Sequence, residues 1–258
     1  MSEANVDTVR AQFTRQAEIY ARMRQTTDQK GLDGLVALSG AKPGDRALDV
    51  ACGPGFLTMT LATRAAHATG FDATDAMLAL ARAEAARRGI ANVEFRSGDA
   101  EALPFPDASF DVVCCRAAFH HFARPERVLA EMVRVARPGA KIVIADMLGP
   151  EDAAKAAYRD RMERLCDPSH AHALSESELR ALFDAAGVEV AFAFRSPFAV
   201  EVEEWIEHGG PTAEVAEELR RMVAACADED LAGITVRRDG DRVTFSYEAA
   251  AFVLARPA

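Results

Sequence analysis

The chain lacks most features that mark a secreted, membrane-bound or nucleic-acid-binding protein. No uninterrupted apolar run approaches the length of a membrane span. The first thirty residues are polar and charged, without the apolar core of a signal peptide. Cysteines number five, an odd count with no CxxC pair. Cys114 and Cys115 are adjacent in an expected strand, where neighbours point to opposite faces, so they make poor disulfide partners. Free thiols in a reducing compartment are expected, and with them a cytoplasmic protein. Lys and Arg total 30 against 40 Asp and Glu, and a net charge of −10 argues against a basic stripe for nucleic acid. Neither a nucleic-acid nor a membrane partner is expected, and the protein reads as a monomer or homodimer. No internal repeat or low-complexity tract is visible.

Half of the 258 residues are apolar, enough for one large α/β domain. Two helical patterns, near 6–24 and 28–39, close at Lys42-Pro43-Gly44. Short apolar runs then alternate with amphipathic ones. Strands are predicted at 46–51, 67–72, 92–99, 109–115 and 140–148. Helices are predicted at 55–66, from Asp75 as cap to Gly89 with Met77, Leu78, Ala81 and Ala85 inward, and from Pro125 to Pro138-Gly139. Strict alternation of this kind predicts a doubly wound parallel sheet. Further on come a helix at 151–165, a polar loop at 166–174 and a helix from Ser175 to Gly187. A strand at 188–195, a mainly helical stretch at 201–227 and a final strand or strand pair at 242–256 complete the pattern. The domain reading is an N-terminal helical segment over 1–45 and an α/β domain over 46–258. Insertions, read as helical, fall at about 150–174 and 198–241.

The informative stretch is "LDVACGPGFLT" at 48–58. Two glycines at a strand–helix junction let the backbone pass close to a ligand, which then meets the positive end of the next helix. A dinucleotide site has a third glycine, and here Thr58 stands in its place; no P-loop lysine follows. A nicotinamide dehydrogenase is disfavoured on that ground. Asp49 at the end of its strand suits a different task, organising the loop's N–H groups and attracting a cation. Asp72 ends the second strand and Asp99 the third. Acids at successive strand ends outline one elongated cleft at the carboxyl edge of the sheet.

This pattern resembles the class I S-adenosylmethionine (SAM)-dependent methyltransferases, of the small-molecule type related to the ubiquinone and menaquinone biosynthesis enzymes. Four segments carry the resemblance in order: "LDVACGPG", "TGFDATDAML", "GDAEALPFPDASFDVVCCRAAFHHF" and "VLAEMVRVARPGAKIVIADM". It implies a Rossmann-like sheet of seven mostly parallel strands with added helical lids, one of them residues 1–45. SAM is the cofactor implied. Asp49 and the Gly53–Gly55 loop would hold its methionine end, with Ala51 where the family usually has glycine. Asp72 would bind the ribose, Ala73 and Met77 would flank the adenine, and Asp99 with the Ala100 backbone would read its edge. Arg116 and the residues after it, His121 included, would lie under the sulfonium, and Tyr20 would close over the cofactor.

Methyl transfer is an in-line displacement that needs the nucleophile held near the methyl group with water excluded. His120 and His121 follow the fourth strand and are the candidate general bases, each with an ordinary pKa near neutrality. Arg116, His120, His170 and Trp205 are the candidate acceptor contacts. Asp167, His170 and His172 have the side chains of metal ligands, but an HxH without a clear third ligand is weak, and no metal is expected. The expected activity is methyl transfer from SAM to a small molecule. The alternative is a SAM-using enzyme without methyl transfer: one that moves or cyclises the aminocarboxypropyl arm with release of methylthioadenosine, or assists a rearrangement. A non-catalytic SAM-binding subunit is disfavoured by the intact acids and glycines.

Overall fold

An apolar run covered on both faces belongs in the middle of a sheet, and residues 110–116 lie there. The computed structural model describes residues 3–22 and 27–256, so the end of the first predicted helix, at 23–24, lies outside the described residues. Helices α1 (Glu3–Tyr20) and α2 (Gln29–Ser39) come first. Strands β1 (Arg46–Val50), β2 (His67–Asp72), β3 (Val93–Ser97), β4 (Phe110–Arg116) and β5 (Ala136–Met147) then alternate with α3 (Phe56–Leu61), α4 (Asp75–Arg88) and α5 (Pro125–Val135). The remainder is α6 (Ala153–Cys166), α7 (Glu176–Ala185), β6 (Glu189–Glu201), α8 (Val202–Gly209), α9 (Ala213–Glu229), β7 (Thr235–Asp239) and β8 (Arg242–Ala255).

The strand order is β3-β2-β1-β4-β5-β8-β6, parallel from β3 to β5 and antiparallel where β8 meets β5 and β6. The seven expected strands form that path, and an eighth, β7, pairs with β8 off it. β1 has β2 on one side and β4 on the other, so the crossovers diverge there and leave a crevice at the carboxyl ends of the strands. Alternation along β4 sends Val113 and Cys115 into the core beneath α5 and α7, and Val112 and Cys114 into the core beneath α2 and α3. All five cysteines are buried and free. A third apolar cluster joins α6, α8 and α9 to β7 and the near parts of β6 and β8.

Several boundaries differ from the sequence reading, each for a local reason. The helix expected at 55–66 ends at Leu61, because the backbone tightens into turns between Thr60 and Ala65. Thr74, not Asp75, is the cap residue of α4, and Asp75 supplies a negative charge in the first turn instead. Pro138-Gly139 does not end α5. The helix stops at Val135, and both residues belong to the outer, exposed start of β5, where Pro is tolerated. The insertion at 198–241 holds β7 as well as two helices, and 242–255 is one long strand.

α1 is tied down at both sides of the crevice. Gln12 and Gln16 donate through Nε2 to the carbonyl of Gly209 at 3.2 and 3.3 Å, and Arg10 Nε donates to the carbonyl of Ala73 at 3.0 Å. The N-terminal helix therefore crosses from α8 to the β2–α4 turn.

Candidate active site

β1 delivers Asp49 into the sheet, where the residue is only 2% exposed. A carboxylate this deep needs partners, and Thr58 Oγ1 on α3 donates to its Oδ2 at 2.7 Å. The loop between them turns on left-handed residues: Ala51 at φ 55°, Gly53 at 52° and Gly55 at 76°. Ala51 carries a side chain in a conformation that costs about 1–2 kcal/mol without glycine. At Gly55 a Cβ would fall 2.7 Å from the Phe95 ring and 2.9 Å from the Ala81 Cβ, so the loop sits directly on β3 and α4. Gly55→Ala is expected to lower stability by roughly 2–5 kcal/mol in chemical denaturation, from backbone strain plus overpacking.

Asp72 ties this loop to the next turn. Its Oδ2 accepts from the Gly53 N–H and its Oδ1 from the Thr74 N–H, both at 2.8 Å. Burial still pushes its carboxyl above the ordinary range despite those bonds. Beyond it opens a narrow apolar compartment lined by Phe71, Asp72, Ala73, Met77, Gly98 and Ala100, with Val9 and Phe13 of α1 across from them. Asp99 is not on this lining; its Oδ1 accepts from the Glu101 N–H at 3.0 Å. Gly55 is likewise behind the lining, which takes Ala51 and Gly53 from the loop. A second small compartment brings together Asp49, Gly53 and Arg116.

Tyr20, at the end of α1, lines both compartments and two larger clefts outside them. Its ring lies 5.7 Å from Phe13 and 5.4 Å from His208. The outer cleft has a volume of about 520 Å³ and takes in His120, His121, Asp167, His170, Trp205 and Tyr247. Phe13, Tyr20, Ala117 and His121 belong to both the inner compartment and this cleft, so the two spaces meet at His121, with His120 on the cleft side.

The two histidines differ in chemistry. His120 Nδ1 lies 2.7 Å from Asp146 Oδ1, and its backbone N–H donates to Asp146 Oδ2 at 3.2 Å. Burial opposes a charge on His120, yet the charge and hydrogen bond of Asp146 outweigh it and lift the imidazole above its usual value. Asp146 is held below the usual carboxylate range; its burial acts the other way but is overcome by His120. His121, 4.1 Å away ring to ring, is pushed down to about 3 by burial and by the neighbouring His120, so it is neutral at physiological pH. His170 lines the cleft, but its Nε2 is 2.9 Å from Asp160 on α6. His172 Nδ1 takes the other oxygen of Asp160 at 2.6 Å. Asp167 lies apart, its Oδ1 accepting from the Ser169 N–H and hydroxyl. Trp205 lines the cleft with its Nε1 donating to Glu163 at 3.3 Å and its ring against Phe245.

Sequence reasoning misses Asp146, Ser169 and Asp160. Asp146 has a readable signal: it stands near the end of the fifth apolar run, as Asp49 stands in the first. Ser169 and Asp160 act through a loop whose path no local pattern fixes.

Comparison with known proteins decides the family. Residues 48–144 match the family model described as a methyltransferase domain. The Bacillus subtilis methyltransferase YcgJ is 29% identical over 92% of this chain and 94% of its own length. A crystal structure of a Bacillus halodurans protein assigned as a methyltransferase superposes with a TM-score of 0.83 at 28% identity, covering 89% of this chain and all of that one. The chain is a class I SAM-dependent methyltransferase. It is also 42% identical to the demethylmenaquinone methyltransferase of Thermus thermophilus, over 45% of this chain and 53% of that protein; the chain thus spans about half the length of that relative. Among the described residues of this methyltransferase no helix is long and apolar enough to cross a membrane.

Asp49 gives the methyltransferase a pH signature of its own. Burial raises its pKa from 3.8 to about 7, against the Thr58 hydrogen bond and the charge of Arg116. A raised folded-state pKa means that stability is fully present below the unfolded value and is lost as pH rises through the folded one. The free protein should therefore lose stability between about pH 4 and 7 through this group, on the order of a few kcal/mol. Asp49→Asn cannot titrate and is expected to raise the thermal midpoint at pH 8 but not at pH 4. Equal shifts at both pH values would remove Asp49 as the source.

Proposed function

We propose that this methyltransferase moves the methyl group of SAM to a small molecule that enters the outer cleft, with His120 taking the acceptor's proton. The observation that carries the reading is the His120–Asp146 pair, with His120 on the lining of a cleft of about 520 Å³ that meets the inner compartment at the neighbouring His121. The Nδ1–H of His120 donates to Asp146, which leaves Nε2 as the free base position.

The residues present fit SAM. Phe71, Met77, Ala73 and Ala100 offer apolar surfaces for an adenine, and Asp72 can accept both hydroxyls of a ribose. A buried carboxylate as basic as Asp49 is matched to a ligand's ammonium group, with Arg116 nearby for the opposite charge. Asp99, off the lining and with its Oδ1 on the Glu101 N–H, is the candidate for an adenine amino group. When bound, SAM supplies an electrophilic methyl on a sulfonium. The chain's own work is then to orient both reactants, to exclude water and to hold the proton at His120 Nε2. α1, with Tyr20 at its end, acts as the lid over the cofactor, and the segments at 150–174 and 198–241 shape the acceptor cleft. Trp205 and His170 touch the acceptor, His121 stays neutral beside it, and the setting is cytoplasmic small-molecule metabolism.

The direct test is to incubate the purified protein with SAM and no acceptor, and to identify bound and released nucleosides by mass spectrometry. Tight SAM with trace S-adenosylhomocysteine is expected, followed by turnover in a metabolite screen. Accumulating methylthioadenosine would instead mean attack at the aminocarboxypropyl carbon.

A further inference from the structure

The loop of residues 167–174 touches the histidine pair through its middle, from Ser169 to His172. The Ala171 and His172 N–H groups donate to the carbonyl of His120 at 2.8 and 3.1 Å. The Ser169 carbonyl lies 3.2 Å and its Oγ 3.1 Å from His121 Nδ1. The Ser169 hydroxyl has one proton, and it is committed to Asp167 Oδ1 at 2.6 Å. Oγ and the carbonyl therefore both accept, so Nδ1 of His121 must carry the proton and Nε2 the lone pair. The loop thus fixes the tautomer of one histidine and the backbone of the other.

Asp160 makes the largest set of side-chain contacts that hold the loop there, beside Arg164, whose Nη1 donates to the Ala171 carbonyl at 2.9 Å. Asp160, half a helix away from the site on α6 and only 7% exposed, accepts three hydrogen bonds from it. His170 Nε2 at 2.9 Å and the Ala173 N–H at 3.1 Å reach Oδ1, and His172 Nδ1 at 2.6 Å reaches Oδ2. Two further groups face this cluster: Arg164 on the same helix, 3.8 Å from Asp160, and Glu178 on α7, 3.2 Å from His172 Nε2. Both oxygens of the carboxylate are thus taken up by the loop.

We infer that Asp160 is a positioning residue of the methyltransferase, which sets the His120–His121 pair through the 167–174 loop without touching either reactant. This rests on the reading that the pair serves proton transfer, but the geometry it predicts can be measured without turnover. A buried carboxylate with three charge-assisted or backbone bonds is expensive to lose, and its loss frees the middle of the loop, from His170 to Ala173.

The experiment compares wild type, Asp160→Ala and Asp160→Asn by ¹⁵N-imidazole NMR and amide exchange, with SAM affinity from calorimetry. In the alanine variant the Ala171 and His172 amides should exchange at least tenfold faster, and His121 should lose its single Nδ1–H tautomer. SAM affinity should stay within about twofold, because the loop's hydrogen bonds go to the histidine pair and not to Asp72 or the glycine loop. Asparagine keeps an oxygen for His170 and Ala173 and should restore most of the tautomer signal. If the alanine variant does not fold, the asparagine variant and His172→Ala, which removes the bond to Asp160 Oδ2 and the contact with Glu178 but keeps both bonds to Oδ1, should show a smaller loss of amide protection in the same loop. Unchanged exchange and an unchanged His121 tautomer in these variants would overturn the inference. A disordered loop with undiminished methyl transfer would instead leave Asp160 as the loop's anchor and sink the proton-transfer reading.

Discussion

Asp72→Ala is expected to weaken SAM binding by about a hundredfold while the protein remains folded. The carboxylate ends β2 in the crevice, and each hydrogen bond between a charged acceptor and a ligand hydroxyl is worth roughly 1.5–3 kcal/mol. Two such bonds to a ribose account for about 3 kcal/mol at the low end, which is a factor of about a hundred in affinity. A second contribution comes from the protein itself. Asp72 also holds the Gly53 and Thr74 N–H groups, so its removal loosens the glycine loop on one side of the ligand and the α4 turn on the other. Asp72→Asn is expected to impair both effects together. It keeps one acceptor oxygen but sets an NH₂ against one of those N–H groups, so the loop suffers nearly as much and the loss of affinity should approach that of alanine. The sheet interior is untouched, and the unfolding transition should remain cooperative. Calorimetry with SAM reads the outcome, and an affinity unchanged in both variants would remove Asp72 from the ribose assignment.

The parts of this molecule that local chemistry dictates are legible in its sequence. β4 reads as a strand covered on both faces because Phe110 to Cys115 has almost no polar residue to expose. α4 is readable from Met77, Leu78, Ala81 and Ala85 at helical spacing and from Gly89, which takes φ 69° as the stop. Asp49 and Asp72 stand out because an acid at the end of an apolar strand has no structural reason that water would not serve better. What the sequence hides depends on distant partners. Asp146 looks like one polar residue in an apolar run, and its meaning comes only from His120, a contact made from the helical turn that follows the neighbouring strand. The HxH at 170–172 suggests ligands with a missing third member, and the structure supplies an anion instead: Asp160 takes both rings. β7 escapes notice because Thr235 to Asp239 is short and charged, with three of its five residues Arg or Asp. Its one local signal is Gly240-Asp241, a two-residue turn with Gly240 at φ 59° that leaves Asp239 paired with Arg242. Ala51 shows the opposite case, since a residue in glycine's usual place keeps the left-handed backbone at φ 55° because the flanking strand and glycines fix the loop.

Removing the imidazole of His120 should separate catalysis from cofactor binding. His120→Ala is expected to lower kcat by about 10²–10⁴-fold, the usual contribution of a positioned general base, while SAM affinity changes little. The pH profile carries more information than the single rate. The acceptor's proton can pass only to the neutral imidazole, and Asp146 holds the His120 pKa above its ordinary value. Therefore kcat/KM should rise with pH through that raised pKa, with the acid limb lying above the 6.5 of a free histidine. Asp146→Asn takes away the charge that outweighs burial, so the His120 pKa should fall and the acid limb should move to lower pH. The same change makes His120 a weaker base, and the plateau above the limb should drop as well. The two shifts run in opposite senses for an assay at fixed pH. Below about pH 6 the variant gains neutral imidazole while losing basicity, so the deficit should be smallest there and largest at about pH 8. His121, with a pKa of about 3, adds no limb in this range, which leaves His120 as the group the profile reports. A profile that is flat in the wild type, or a limb that stays in place in Asp146→Asn, would mean that the proton leaves the acceptor by another route.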